Sequence, residues 1–150
     1  MSKSSRSRGY RAERELVTQL WKKGFAVVRA PASGSKIKRA AYPDVVAIKK
    51  GRVAVFEVKS RSKEESIYID REQIVKLVEF AERAGGRAYV AVKLPRQKWV
   101  FVPVEKLEST SSGYRVGRET LTESLNFDQL EVALGLKSNL MKYASPSEKE

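Results

Sequence analysis

Two apolar segments joined by a short turn constrain the fold of this chain more than any other feature. The first segment, DVVAIKK, starts at Asp44, and the second, VAVFEVKS, contains Glu57 and Lys59. Gly51-Arg52 lies between them and predicts a turn, so the two segments are expected to pair as a hairpin. The second segment is apolar at almost every position, which is typical of a strand that is covered on both faces. We therefore predict a hairpin inside a sheet that has helices on each side.

The charged residues of this hairpin suggest a chemistry. Asp44 and Glu57 both lie far from the turn, so they should face each other across the two strands, and alternation places Lys59 on the same face as Glu57. A glutamate in a buried strand is costly unless it is paired or binds a cation. Two carboxylates can hold a divalent cation, and a neighbouring ammonium can polarise a phosphate or a water. The pattern favours metal-dependent phosphodiester cleavage over an ordinary solvated strand.

The composition excludes several other chemistries and indicates a partner. The chain has no cysteine and no histidine, so thiolate zinc sites, cysteine nucleophiles and histidine bases are excluded. The formal net charge is +12, and residues 1–63 hold 17 of the 30 Lys and Arg residues but only 4 of the 18 Asp and Glu residues. The basic half is the one that contains the carboxylates, which predicts a polyanionic partner such as nucleic acid. A basic membrane-surface module is the alternative, but the basic residues do not follow one amphipathic helix.

The order of predicted elements indicates an α/β fold. Helices are expected at about 9–23, 70–84 and 127–134, with strands between them in the order αβββαββα. This order predicts a mixed central β-sheet flanked by helices. We expect residues 1–8 to form a flexible basic arm, 9–135 to form the domain, and 136–150 to form a disordered tail. The chain has neither an apolar run as long as a membrane span nor an apolar opening segment, so we expect a cytoplasmic, nucleoid-associated protein without membrane contact.

Further candidates for the site lie outside the hairpin. Glu13 lies in the first turns of the first helix. It can either belong to a functional site or simply interact favourably with the helix dipole. The loop SGSKIK offers hydroxyls, main-chain N–H groups and lysines to a phosphate backbone. The predicted DNA-binding residues are Arg11, Arg14, Arg29, Ser33, Ser35, Lys36, Lys38, Arg61 and Gln73.

The helix predicted at 70–84 has more apolar surface than one narrow stripe requires. Such a surplus belongs either to the core or to a partner. Because twofold dimers are the commonest oligomers, we predict a homodimer contact here. The residues assigned to it are Leu77, Phe80, Ala81 and Ala84.

Several segments together resemble the archaeal Holliday junction resolvases of the Hjc type, within the PD-(D/E)xK nuclease superfamily. The resemblance covers about residues 8–107 and rests on RGYRAERELV, GFAVVRAPASGSK, PDVVAIKKGRVAVFEVKSR and IYIDREQIVKLVEFAERAGGRAYVAVK. It implies a restriction-endonuclease-like nuclease fold. It also implies a homodimer that binds four-way DNA junctions and cuts two opposed strands with Mg²⁺, for which Mn²⁺ can substitute.

The resemblance also implies roles for individual residues. The catalytic set is Glu13, Ser33, Asp44, Glu57 and Lys59. The metal is expected on Glu13, Asp44, Glu57 and the carbonyl of Val58, with Arg14 and Ser33 holding the DNA backbone.

Three alternatives stay open from the sequence. One is a related nuclease that cuts flaps or plain duplex, the second is an enzyme that acts on RNA, and the third is an inactive nucleic-acid-binding module. Other recombination or replication proteins are potential partners of unknown identity.

Overall fold

The protein has an α/β fold, as the order of elements predicted, and a second sheet that was not predicted lies beside the central one. A computed structural model describes residues 2–30, 42–63 and 65–138. The helices within these residues are α1 (Ser2–Lys22), α2 (Arg71–Ala84), α3 (Arg118–Thr122) and α4 (Phe127–Ala133). The strands are β1 (Ala26–Arg29), β2 (Val45–Lys49), β3 (Arg52–Ser60), β4 (Ile67–Asp70), β5 (Arg87–Lys93), β6 (Trp99–Pro103), β7 (Glu108–Ser109) and β8 (Gly113–Val116). Short 3₁₀ turns occupy Pro95–Gln97 and Val104–Lys106.

The central sheet is mixed, as predicted. Its five strands lie in the order β1-β2-β3-β5-β6, with β3 and β5 parallel and the other neighbours antiparallel. Helix α2 lies in the crossover between the two parallel strands, which is the usual way to connect such a pair. A second, antiparallel sheet has the order β4-β8-β7.

The predicted hairpin is formed by β2 and β3, but its turn lies one residue earlier than expected. Lys50 (φ 51°) and Gly51 (φ 78°) form the turn, and Arg52 already pairs with Lys49 in the ladder. Positive φ at both central residues matches the twist of two-residue hairpin loops, and this conformation suits Gly51.

Helices cover the central sheet on both faces, as the apolar strand required. On one face α1 contributes Leu16 and Leu20 to a buried cluster with Phe56 of β3. On the other face α2 packs Leu77 and Ala81 against Val55 of β3. A third cluster joins the second sheet to β5 and β6. The two faces of β3 are therefore both removed from water over its central residues.

The predicted start of the first helix was wrong. Helix α1 begins at Ser2 instead of about Gly9, so residues 2–8 belong to the helix. A single glycine such as Gly9 costs a helix only about 1 kcal/mol, which the turns on each side of it can offset. Asp70 is the residue before α2, and its side chain makes no capping hydrogen bond. Asp70 is also the last residue of β4, where it pairs with Gly113.

The predicted dimer contact on α2 is also partly wrong. Leu77 and Ala81 have only 2% and 4% of their surface exposed and belong to the core of the single chain. Helix α2 packs on the central sheet and also against the second sheet, so more than one stripe of the helix is covered. This explains its surplus of apolar residues. Phe80 is half-buried and Ala84 is exposed, and only these two retain accessible surface. None of the helices in the described residues has both the length and the apolar content needed to cross a bilayer.

Candidate active site

The hairpin register brings the two predicted carboxylates together. Val45 pairs with Phe56, so Asp44 and Glu57 are the next residues along the two strands. The backbone N–H of Val58 donates a 2.8 Å hydrogen bond to Oδ2 of Asp44. Asp44 is therefore held by the same strand that presents Glu57.

Two further side chains contact Glu57 at one oxygen. Lys59 Nζ lies 3.9 Å from Oε2 of Glu57, consistent with two residues on the same face of β3. Gln73, in the first turn of α2, donates its side-chain N–H to the same Oε2 at 3.3 Å. Glu57 is 12% exposed, so these contacts lie at the edge of the protein interior.

Helix α1 brings a third acid to this end of the sheet. Glu13 lies 3.8 Å from Arg29 of β1, with Oε1 facing the guanidinium Nε. Burial first, and then the negative charge of Asp44, raise the pKa of Glu13 from 4.5 to about 7, although Arg29 opposes this. The effect of Asp44 on Glu13 indicates that the helix and the hairpin share one electrostatic environment.

Asp44 and Glu57 strongly affect each other. Burial, followed by the charge of Asp44, raises the pKa of Glu57 from 4.5 to about 8, and Lys59 only partly compensates. Burial also raises the pKa of Asp44, although the N–H of Val58 and the charge of Lys59 favour its ionised form. The two carboxyls share a hydrogen bond that raises the pKa of Glu57 and lowers that of Asp44. Near neutral pH the pair thus tends to retain a proton, which is expected of two buried acids close together.

The site opens into a small cleft beside α2. The cleft measures about 200 Å³ and is lined by Tyr42, Pro43, Asp44, Glu57, Gln73, Lys76 and Leu77. A larger cavity of about 560 Å³ lies near Glu65 and Arg118, but it contains no comparable pair of acids. Chemistry, and not cavity size, identifies the smaller cleft as the candidate active site.

Comparison with known proteins decides the family. The family model described as archaeal Holliday junction resolvase (Hjc) matches residues 4–138. The chain belongs to this family.

Individual relatives agree with the assignment. The chain is 42% identical to the crossover junction endodeoxyribonuclease Hjc of Sulfurisphaera tokodaii over 128 residues, which cover 85% of this chain and 88% of that protein. It is 35% identical to the Hjc of Methanocaldococcus jannaschii over 120 residues, or 80% of this chain and 84% of that one. The solved structure of Archaeoglobus fulgidus Hjc, a Holliday junction resolvase, superposes with a TM-score of 0.76 and 35% identity, covering 83% of this chain and 98% of that chain. The resemblance found in the sequence and the nuclease fold that it implied are both confirmed.

The predicted DNA-binding residues of this Hjc family member are placed in different ways. Arg11 and Arg14 are exposed on α1, while Arg29 faces Glu13. Arg61 follows β3 and donates to the carbonyl of Ser60. Gln73 contacts Glu57, so its amide is engaged inside the site. Ser33, Ser35, Lys36 and Lys38 lie outside the described residues.

Lys76 was missed by the sequence reasoning. It lies three residues after Gln73, nearly one helical turn, and lines the same cleft as the two carboxylates. Its side chain is 38% exposed, and Nζ lies 3.1 Å from Oε1 of Glu72. The helical spacing from Gln73 was the signal that would have found it, because both residues lie near one side of α2.

Asp44 and Glu57 form a pair, and Glu13 does not join them in a cluster of three acids. No set of three His, Cys, Asp or Glu side chains in residues 2–30, 42–63 and 65–138 is close enough to hold a metal ion by itself. Asp44 and Glu57 share a hydrogen bond, and carboxylate oxygens of this kind suit a hard divalent cation.

Proposed function

We propose that this protein is a structure-selective endodeoxyribonuclease that resolves four-way DNA junctions with Mg²⁺, in DNA recombination and repair. The observation that carries this proposal is the pairing of Asp44 with Glu57 across the hairpin, with Lys59 on the same face as Glu57. Membership in the Hjc family supports the four-way junction as the substrate.

The residues present fit a divalent cation. Asp44 and Glu57 both have a raised pKa, chiefly because burial disfavours their charged forms, and a bound cation would offset that cost. We propose Asp44, Glu57 and the carbonyl of Val58 as ligands, with Glu13 acting through water. Mg²⁺ usually keeps several waters and uses one or two carboxylates, and Mn²⁺ accepts the same oxygen ligands. When bound, the ion polarises the phosphate and lowers the pKa of a water.

The basic side chains hold the substrate and stabilise its charge. Lys59, which is 3.9 Å from Glu57, is placed to stabilise the negative charge that develops on the phosphate. Arg11 and Arg14 are exposed on the helix that carries Glu13 and would grip the DNA backbone next to the site. Arg29, Arg61, Ser33, Ser35, Lys36 and Lys38 complete the proposed set of DNA-binding residues, with Ser33 holding the DNA backbone.

The active form is proposed to be a homodimer. One site makes one nick, so symmetric resolution of a junction requires two sites related by a twofold axis. Of the four α2 residues predicted at the dimer contact, Phe80 and Ala84 are the two that retain accessible surface. At 100° per residue they lie on the same side of α2 as Gln73, which contacts Glu57. A contact through Phe80 and Ala84 would therefore run along the side of the helix that carries the active site.

A cleavage assay on three matched substrates tests the proposal. Four-way junction, flap and plain duplex of the same arm sequences would each be incubated with and without Mg²⁺. We expect two symmetric nicks in the junction, no cleavage without the metal, and little cleavage of duplex. A preference for flaps or duplex would favour another nuclease activity, and preferential cleavage of an RNA junction would change the substrate class. No cleavage of any substrate would favour an inactive binding module.

A further inference from the structure

Gln73 reaches the active site from a different element than the catalytic hairpin does. It is the third residue of α2, 16 positions after Glu57 in sequence, and its backbone lies on the surface. Its side-chain amide nevertheless turns toward the sheet and donates to Glu57 Oε2 at 3.3 Å. An exposed glutamine has many rotamers that reach only water, so this orientation calls for an explanation.

In each of the two carboxylates, the donors of the surrounding protein contact one particular oxygen. Oε2 of Glu57 receives the Gln73 amide and faces Lys59 Nζ, while Oδ2 of Asp44 receives the Val58 N–H. None of these donors engages Oε1 of Glu57 or Oδ1 of Asp44. The protein thus holds one oxygen of each carboxylate with a donor from the surrounding structure.

We propose that Gln73 is a positioning residue that fixes the carboxylate of Glu57 for the divalent cation. This inference rests on the metal site put forward above. A neutral amide is suited to the task because it donates a hydrogen bond without repelling a cation, as a lysine would, and without adding a ligand, as a glutamate would. Hydrogen-bonded partners of ligating carboxylates orient the ligand and influence metal affinity. This role replaces the DNA contact predicted for Gln73 from the sequence.

The expected effect is moderate. The hydrogen bond is long and Gln73 is exposed, so the stability of the fold should depend little on it. Loss of a residue that orients a metal ligand typically weakens metal binding about 10-fold to 100-fold. We expect the lower end of that range, about tenfold, because Lys59 still faces the same oxygen.

The test uses two variants and one matched control. Gln73→Met keeps the length of the side chain without its donor, Gln73→Ala removes it, and Glu79→Ala removes an exposed polar side chain from the same helix. The dissociation constant of Mn²⁺ is measured on the DNA-free protein by electron paramagnetic resonance. The Mg²⁺ concentration for half-maximal cleavage and the junction dissociation constant in EDTA are measured in parallel. Both Gln73 variants should bind Mn²⁺ about tenfold more weakly and need correspondingly more Mg²⁺, with unchanged junction affinity in EDTA.

The outcomes separate this inference from the proposed metal site. Mn²⁺ binding equal to wild type in both Gln73 variants, with Asp44→Asn unable to bind it, would overturn the role of Gln73 alone. Weaker junction binding with unchanged Mn²⁺ affinity would return Gln73 to the DNA contacts and also overturn it. If Asp44→Asn binds Mn²⁺ as wild type does, the metal site itself fails and the positioning role fails with it.

Discussion

The backbone N–H of Val58 donates a 2.8 Å hydrogen bond to Oδ2 of Asp44, from the residue that directly follows Glu57. One strand therefore presents one acid of the site and orients the other. Because Val58 is also paired in the parallel ladder with Ala91 of β5, its position is set by the interior of the central sheet. The distance between the two carboxylates is thus determined by sheet pairing, and not by the flexibility of a loop.

Removing either carboxylate should stop cleavage and leave junction binding intact. Asp44→Asn and Glu57→Gln keep the size of the side chain but remove a proposed metal ligand. Losing a residue that only orients such a ligand lowers activity by up to about 100-fold, so the loss of cleavage here should be larger than that. Cleavage rates and electrophoretic binding assays on a four-way junction measure the two effects. Glu79→Gln, an exposed acid on α2, is the control. Loss of junction binding in both variants, with the fold intact by circular dichroism, would contradict the roles assigned to these acids.

Stability without metal should fall as the pH rises through the range in which the acids titrate. The pKa of Glu57 is raised from 4.5 to about 8, so its contribution to stability is fully present below 4.5 and is lost as the pH approaches 8. Glu57→Gln cannot ionise and should keep its stability over this range. Since one pKa unit corresponds to about 1.4 kcal/mol, the variant should gain a few kcal/mol relative to wild type between pH 5 and pH 8.

Denaturant unfolding in EDTA from pH 5 to pH 9 measures this difference. Addition of Mg²⁺ at pH 8 should restore much of the stability of the wild type and little of that of Glu57→Gln. A difference that does not change with pH would show that Glu57 titrates as an ordinary exposed acid.

Leu77 and Phe80 should differ in what they stabilise. Leu77 is 2% exposed and packs on Val55, so Leu77→Ala should lower the free energy of unfolding by about 2–5 kcal/mol. Phe80→Ser should lower the free energy of unfolding of the single chain by less than Leu77→Ala does. It should also convert the proposed dimer to a monomer. Sedimentation velocity and denaturant unfolding distinguish these effects. A dimer that persists in Phe80→Ser, and also in Phe80→Ser combined with Ala84→Ser, would place the interface elsewhere.

An ion pair between α1 and β5 should couple these elements. Glu15 accepts from Lys93 Nζ at 2.6 Å and from Trp99 Nε1 at 3.0 Å. Burial raises the pKa of Glu15, but the hydrogen bonds from Lys93 and Trp99 outweigh it, so the pKa is lowered. A double-mutant cycle with Glu15→Gln and Lys93→Met should give a coupling free energy of about 0.5–3 kcal/mol at pH 7.

The coupling between Glu15 and Lys93 should decline in acid. A depressed pKa means that the stabilisation is present above the ordinary value of 4.5 and is lost as the pH falls below it. Repeating the cycle at pH 3.5 measures this loss. A coupling energy near zero at pH 7 would mean that the pair contributes no more than an exposed ion pair.

The hairpin and α2 were the most predictable parts of the fold because their signals are local. Alternation along the strands and the glycine at the turn specify which residues of β2 and β3 face each other, and α2 ends at Gly85 (φ 70°) as its sequence indicated. Gly86 is under a steric constraint that the sequence pattern alone does not reveal. A Cβ there would lie 2.5 Å from the carbonyl oxygen of Val53, so the chain passes close to β3 on entering β5.

The start of α1 and the burial of Leu77 and Ala81 were not predictable in the same way. Helix boundaries depend on small differences in free energy, and the local sequence around Gly9 does not decide them. An apolar residue on a helix looks the same in sequence whether it faces its own core or a partner. Only the packing of α2 against β3 and β5 distinguishes the two, because it depends on residues far away along the chain.

By itself, the sequence determined the chemistry and the family: two carboxylates and a lysine at hairpin spacing, a basic half, and no His or Cys to support another mechanism. Period-two alternation and turn chemistry act over a few residues, which is why that information can be read from the chain. The tertiary structure decided which groups join the hairpin: Glu13 with Arg29 from α1 and β1, and Gln73 and Lys76 from α2. Those contacts form only when the helices pack on both faces of the sheet, and the packing depends on the whole core, not on any local pattern.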